Sequence, residues 1–182
     1  DLTNPLVSHS HLASQYHKIA NYYIIKKSTK KALDFTKKAL DSYHKKFETQ
    51  YTFDPPNWDF IDGELIPLSK NIEELFYEKG HQRKVIVDYG LCLLNFSQCL
   101  SMQKKYQQAV EMIDKACQYY HVFPKLYNLS QLIKGMNLIY NGSKSGVKLI
   151  EDSLINLEKL EKPVSKKSSI ILIEEAKKLL ES

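Results

Sequence analysis

The chain has 182 residues, 26 Lys+Arg against 21 Asp+Glu, a formal net charge of +5, 43% hydrophobic and 26% charged residues. That length suits one good-sized domain or a short repeat array, and the composition is too apolar for a disordered chain. No apolar run reaches the roughly 18 residues of a transmembrane helix, and three Cys make no disulfide framework.

The chain starts at Asp1 with no basic region followed by an apolar one, so no signal peptide is visible. It reads as a fragment of a longer protein or a processed chain. Cys92, Cys99 and Cys117 form no CxxC pair. They read as buried free thiols and point to a reducing, cytoplasmic or nuclear setting. The Asn-x-Ser triplets at Asn95, Asn128 and Asn141 are then chance matches.

Helical periodicity fills the spaces between the prolines. A first helix is predicted over 6–26, with Leu12, Tyr16, Ile19, Ala20 and Tyr23 on one face. After a two-residue break, Ser28 or Thr29 caps a second helix reaching Phe47, with Ala32, Phe35, Ala39 and Tyr43 as its stripe. From Glu48 to Ile66 the pattern stops, and Asp54-Pro55-Pro56-Asn57 and Asp62-Gly63 are turn formers. The aromatic residues of this loop, Trp58 among them, are expected to pack across the hairpins and edge the groove. A short third helix is predicted between Pro67 and Gly80. A fourth runs from His81 to Gln103, and a fifth from Tyr106 to His121. A sixth is opened by Pro124 and stopped at Asn141-Gly142, a seventh is opened by Ser143, and an eighth by Pro163. No convincing strand is read.

Small residues recur at fixed places in these hairpins: Ala20, Ala32 and Ala39; then Ser97, Ala109 and Ala116; then Gly146 and Ser153. Tyr106–Ala109–Ile113–Ala116 with Pro124 resembles the tetratricopeptide repeat (TPR) pattern. Ala32–Thr36–Ala39 is similar with a polar residue at the bulky site, and Gly146–Ile150–Ser153 is the loosest copy. The resemblance covers roughly 110 residues. The spacing is irregular, since Ala32 and Ala109 are 77 apart while Ala109 and Gly146 are 37 apart. Residues 6–47 are also similar to half of a microtubule-interacting-and-transport (MIT) domain. The implied fold is all-α, with antiparallel helical hairpins stacked as an irregular TPR-like array. As one domain over 1–182 it has a first hairpin at 1–47, an aromatic and acidic loop plus a short helix at 48–80, two hairpins at 81–162, and a capping helix at 163–182.

The sequence contains no HExxH, Cys/His cluster, GxGxxG, GxxxxGK[ST] or GxSxG, so neither a metal, a cofactor nor an enzyme is expected. Charge is uneven: residues 1–50 carry +5, 51–80 carry −5, 81–130 carry +3 and 131–182 carry +2. Arg83 is the only arginine beside 25 Lys. Base readout leans on Arg, so no specific nucleic acid is expected and the Lys read chiefly as solvated helix flanks.

The TPR resemblance implies that the first helix of each hairpin lines a concave groove. Its matching polar residues are Ser14, His17 and Asn21; Asn95, Gln98 and Ser101; Asn128 and Gln131. Amides and hydroxyls there can bond an extended peptide or a partner helix. Asn21 and Asn95 fall on the two Asn positions of the carboxylate clamp of chaperone-binding members. His17 stands at its first Lys position and the last two cations are lacking, so that clamp is not expected. The expected function is a non-enzymatic adaptor or scaffold binding a protein or peptide partner. The alternatives are a peptide-sensing regulatory domain of a larger protein, a Lys-mediated binder of nucleic acid or an anionic surface, and an MIT-like helical domain.

Overall fold

The structure, a computed structural model, describes residues 5–50, 58–61, 64–67, 82–121 and 123–181. Its elements are α1 (Pro5–Ile25), α2 (Thr29–Gln50), β1 (Trp58–Ile61), β2 (Glu64–Pro67), α3 (Gln82–Met102), α4 (Tyr106–Tyr120), α5 (Pro124–Tyr140), α6 (Ser145–Glu158) and α7 (Lys167–Glu181). The architecture is all-α, as the periodicity implied.

Each helical hairpin closes with the same turn. Lys27 (φ 53°), Lys104 (φ 61°) and Gly142 (φ 84°) are left-handed. The next residue's N–H reaches back across the turn: Ser28 to the Tyr23 carbonyl at 2.9 Å, Lys105 to Leu100 at 2.9 Å, Ser143 to Leu138 at 2.8 Å. The left-handed residue's own N–H bonds Ile24, Ser101 and Ile139 in the same order, each at 2.9 Å. This two-bond Schellman cap satisfies the last carbonyls of the first helix. Two of the three copies place Lys where Gly would cost least, a strain of about 1 kcal/mol each.

Counting back seven residues from the left-handed one reaches Ala20, Ser97 and Gly135, all buried. Counting forward five reaches Ala32 and Ala109, both with no exposed surface. In the third hairpin the count is one shorter and Gly146 takes that place. Small side chains at these two points let the paired helices approach closely. Ala39 and Ala116 repeat the device one turn pair further on.

The hairpins dock in series. The α3 helix packs mainly on α2 and also on α1, and α5 packs mainly on α4 and touches α3. One buried cluster joins α1 to α4 and reaches Ile133 of α5, with Tyr43, Tyr89, Leu93, Phe96, Ile113 and Tyr120 at its centre. A second joins Leu129, Leu132 and Met136 of α5, Ile150 and Leu157 of α6, and Ala176 of α7.

Several boundaries differ from the sequence reading. The first break is the three residues Lys26–Ser28, not two, because the turn needs a residue on each side of Lys27. The helix expected to open at Ser143, α6, begins at Ser145. The last helix begins at Lys167, with the Lys166 carbonyl accepting the Ile170 N–H at 3.1 Å, so Pro163 lies in the connection.

Within the supposed loop, β1 and β2 pair antiparallel, with Trp58 opposite Pro67 and Ile61 opposite Glu64. This strand pair corrects the strandless reading. Asp62-Gly63 between two short apolar runs is the two-residue hairpin signal that the turn-former reading left unused. The helix expected between Pro67 and Gly80, and the packing of the side chains of residues 51–66, lie outside the described residues.

Candidate functional site

The repeated turn supplies a common register for the three first helices. Positions thirteen, ten and six residues before the left-handed residue lie on one helix face. In α1 they are Ser14, His17 and Asn21; in α3, Leu91, Leu94 and Gln98; in α5, Leu129, Leu132 and Met136. The row is polar in α1, mixed in α3 and apolar in α5.

Four of the eight residues marked from sequence, Ser14, His17, Asn21 and Gln98, stand in this register, and all four are half-buried. Ser101 is half-buried one turn beyond Gln98. Asn95, Asn128 and Gln131 are buried to the side. Asn128 Nδ2 donates to the Pro124 carbonyl at 2.8 Å, and its Oδ1 accepts from Asn156 Nδ2 of α6 at 3.3 Å. Gln131 Nε2 donates to Cys117 Sγ of α4 at 3.4 Å. The sequence reading sets the third copy one residue out of register, because the count from Gly142 to Gly146 is four where the other hairpins have five, which hides the match between Gly135 and Ala20. The α5 row, Leu129, Leu132 and Met136, was missed for the same reason.

His17 is the centre of the polar end. Asn95 Nδ2 donates to its Nδ1 at 3.2 Å, and Cys92 Sγ lies 3.2 Å from the same nitrogen. Nε2 lies 3.1 Å from the Asn21 side-chain amide. A neutral imidazole carries one hydrogen. With Nδ1 accepting from α3, that hydrogen sits on Nε2, which faces the Asn21 side-chain amide. Burial, and secondarily the Lys166 ammonium, lower the His17 pKa from 6.5 to about 4, so the ring is neutral at pH 7.

A thiol beside an imidazole is also the pairing used in nucleophilic catalysis. Here Cys92 is 1% exposed. Burial, and then the Asp88 carboxylate, push its thiol well above the usual range. At neutral pH it acts as a neutral hydrogen-bonding group. The α1–α3 cluster therefore sets a neutral thiol against a neutral imidazole.

On the opposite side of α5, Asp114, Cys117, Gln118, His121, Tyr127, Gln131 and Lys134 line a shallow depression of about 320 Å³. Its polar groups pair with one another, Lys134 Nζ with Asp114 at 2.6 Å and Gln131 with Cys117. On the Lys-rich first hairpin, Lys26 lies over the Tyr22 ring at 5.9 Å, Lys31 over Tyr23 at 5.2 Å and Lys38 over Phe35 at 4.9 Å. These cations cover aromatic rings of their own hairpin. Among the described residues no three His, Cys, Asp or Glu side chains gather as metal ligands, and no helix is long and apolar enough to cross a membrane.

None of the family models, curated proteins or solved structures compared with this chain matches it.

Proposed function

We propose that this chain is a non-enzymatic protein–protein interaction module, TPR-like in plan, that takes a peptide segment or partner helix along the face formed by α1, α3 and α5. The single observation that carries the reading is the shared register: counted from the same two-bond helix cap, Ser14, His17 and Asn21, then Leu91, Leu94 and Gln98, then Leu129, Leu132 and Met136 take equivalent positions. A face with a polar end, a mixed middle and an apolar end suits an amphipathic segment. The apolar row supplies affinity and the polar rows fix orientation. Stacked hairpins build such a face without enclosing a pocket; here its apolar row, Leu129, Leu132 and Met136, is buried.

Selection of helical and extended peptides from a displayed library against the whole chain tests it. Selected ligands bind with micromolar Kd by fluorescence anisotropy. Gln98→Ala with Ser14→Arg weakens them at least tenfold, whereas Lys148→Ala with Glu151→Ala on the exposed side of α6 leaves them unchanged. Selected ligands that respond only to the α6 changes would refute the reading.

A further inference from the structure

The last helix does not seat as the others do. Each incoming first helix, α3 and then α5, rests chiefly on the second helix of the hairpin before it. If α7 continued the series it would rest chiefly on α6. It packs instead more extensively on α5 than on α6. Ala176, with no exposed surface, joins Leu129, Leu132 and Met136, the apolar row of the groove register. Leu172, Ile173, Leu179 and Leu180 pack around the same cluster, and Leu172 also reaches the α1–α4 cluster. Lys166, the residue before α7, is near enough for its charge to help lower the His17 pKa. The helix thus covers the apolar α5 row of the face that the proposed function reserves for a partner, and Leu172 reaches toward its middle.

The seat is shallow. Ala176 is the one buried residue of the fifteen in α7, whereas α5 buries nine of seventeen. Ile170 and Ile171 stay 40% and 39% exposed. The connection from Lys159 to Lys166 contains Pro163, and all of it but Leu160 and Val164 is exposed. Extended, eight residues span up to about 27 Å, enough for α7 to leave and return without the array opening. A tethered helix on a short linker competes at an effective concentration in the millimolar range.

We propose that α7 is an internal occupant of the groove, and that the partner is an amphipathic helix of the same design that displaces it. This rests on the groove reading above. The partner presents apolar residues at i, i+4, i+7 and i+8, as Leu172, Ala176, Leu179 and Leu180 do, with a small residue at the second place where Ala176 meets the α5 row. Met136 in the row gives the seat the adaptability to accept related helices.

The test uses the whole chain and a fluorescein-labelled peptide of residues 165–182. Ala176→Asp in the chain unseats α7 and frees the groove. The labelled peptide binds this variant at least tenfold tighter than the unaltered chain, and adding Met136→Lys on α5 abolishes the binding. Equal binding to both chains, still lost with Met136→Lys, overturns internal occupancy and leaves the groove reading standing. The same division follows if the peptide binds neither chain while library-selected ligands bind. If neither the peptide nor any selected ligand binds, both readings fall. Native-state hydrogen exchange of the unaltered chain gives an answer even if Ala176→Asp does not fold. The α7 amides exchange at least tenfold faster than the most protected α5 amides, and equal protection overturns the proposal.

Discussion

The Asn95 side-chain amide donates to Nδ1 of His17 across 3.2 Å, joining α1 to α3 through residues 78 apart in sequence. The bond requires a neutral ring, and that sets the sign of a pH effect. The folded pKa of about 4 lies below the ordinary 6.5, so between these values the unfolded chain binds more protons than the folded one. The contribution is intact above pH 6.5 and is lost progressively as pH falls toward 4. The full difference corresponds to about 3 kcal/mol at most. Urea midpoints at pH 7, 5 and 4 should fall in that order. His17→Gln, which keeps the polar shape without titrating, should flatten that part of the profile.

Gly135 and Gly146 meet where α5 crosses α6. A Cβ on Gly135 would lie 2.6 Å from Ile150 Cγ1 and 2.9 Å from the Gly146 carbonyl oxygen. A Cβ on Gly146 would run into the Gly135 carbonyl oxygen, and backbone there cannot swing aside as a side chain can. Gly146→Ala should cost about 3 kcal/mol and Gly135→Ala about 2 kcal/mol, read as shifts in thermal unfolding. The two act on one contact, so the double variant should lose less than their sum. Gly142→Ala meets open space and pays only for φ +84°, about 1 kcal/mol.

The three thiols are free and buried. Burial raises Cys117 to about 11 and Cys92 well above its usual range, each helped by a neighbouring aspartate, Asp114 and Asp88 respectively. A disulfide reagent at pH 8 should label the native chain over hours and the chain in guanidinium within seconds, to three thiols per molecule. Rapid labelling of one native thiol would place that cysteine at a surface.

Thr36 is 1% exposed at a position where the repeat pattern calls for bulk. Its hydroxyl donates to the Ala32 carbonyl at 2.8 Å, one turn back on its own helix. That carbonyl keeps its helical N–H partner if the hydroxyl goes. Thr36→Val should therefore change the denaturation midpoint by less than about 1 kcal/mol.

Much of the fold is legible in the sequence because small residues at helical spacing state where helices touch: Ala20, Ala32, Ala39, Ala109 and Ala116 are all fully buried. Helix ends were legible where Pro124 or Gly142 punctuates, and less so at Pro163, which stands four residues before its helix. The turn itself was hidden, since two of its three copies put Lys in the left-handed place, against propensity. Without the turn the register of α5 could not be set, so Asn128 and Gln131 drew attention and Leu129, Leu132 and Met136 did not. The meeting of His17, Cys92 and Asn95 depends on the docking of α1 against α3, a contact across more than 70 residues that no local pattern encodes.

Amide chemical-shift mapping of the whole chain, saturated with a library-selected ligand, tests the proposed function most directly. The account predicts perturbations at Ser14, His17, Asn21, Leu94, Gln98, Leu132 and Met136, with the exposed sides of α2, α4 and α6 quiet. Perturbations concentrated on those outer sides, with the shared register unmoved, would contradict it.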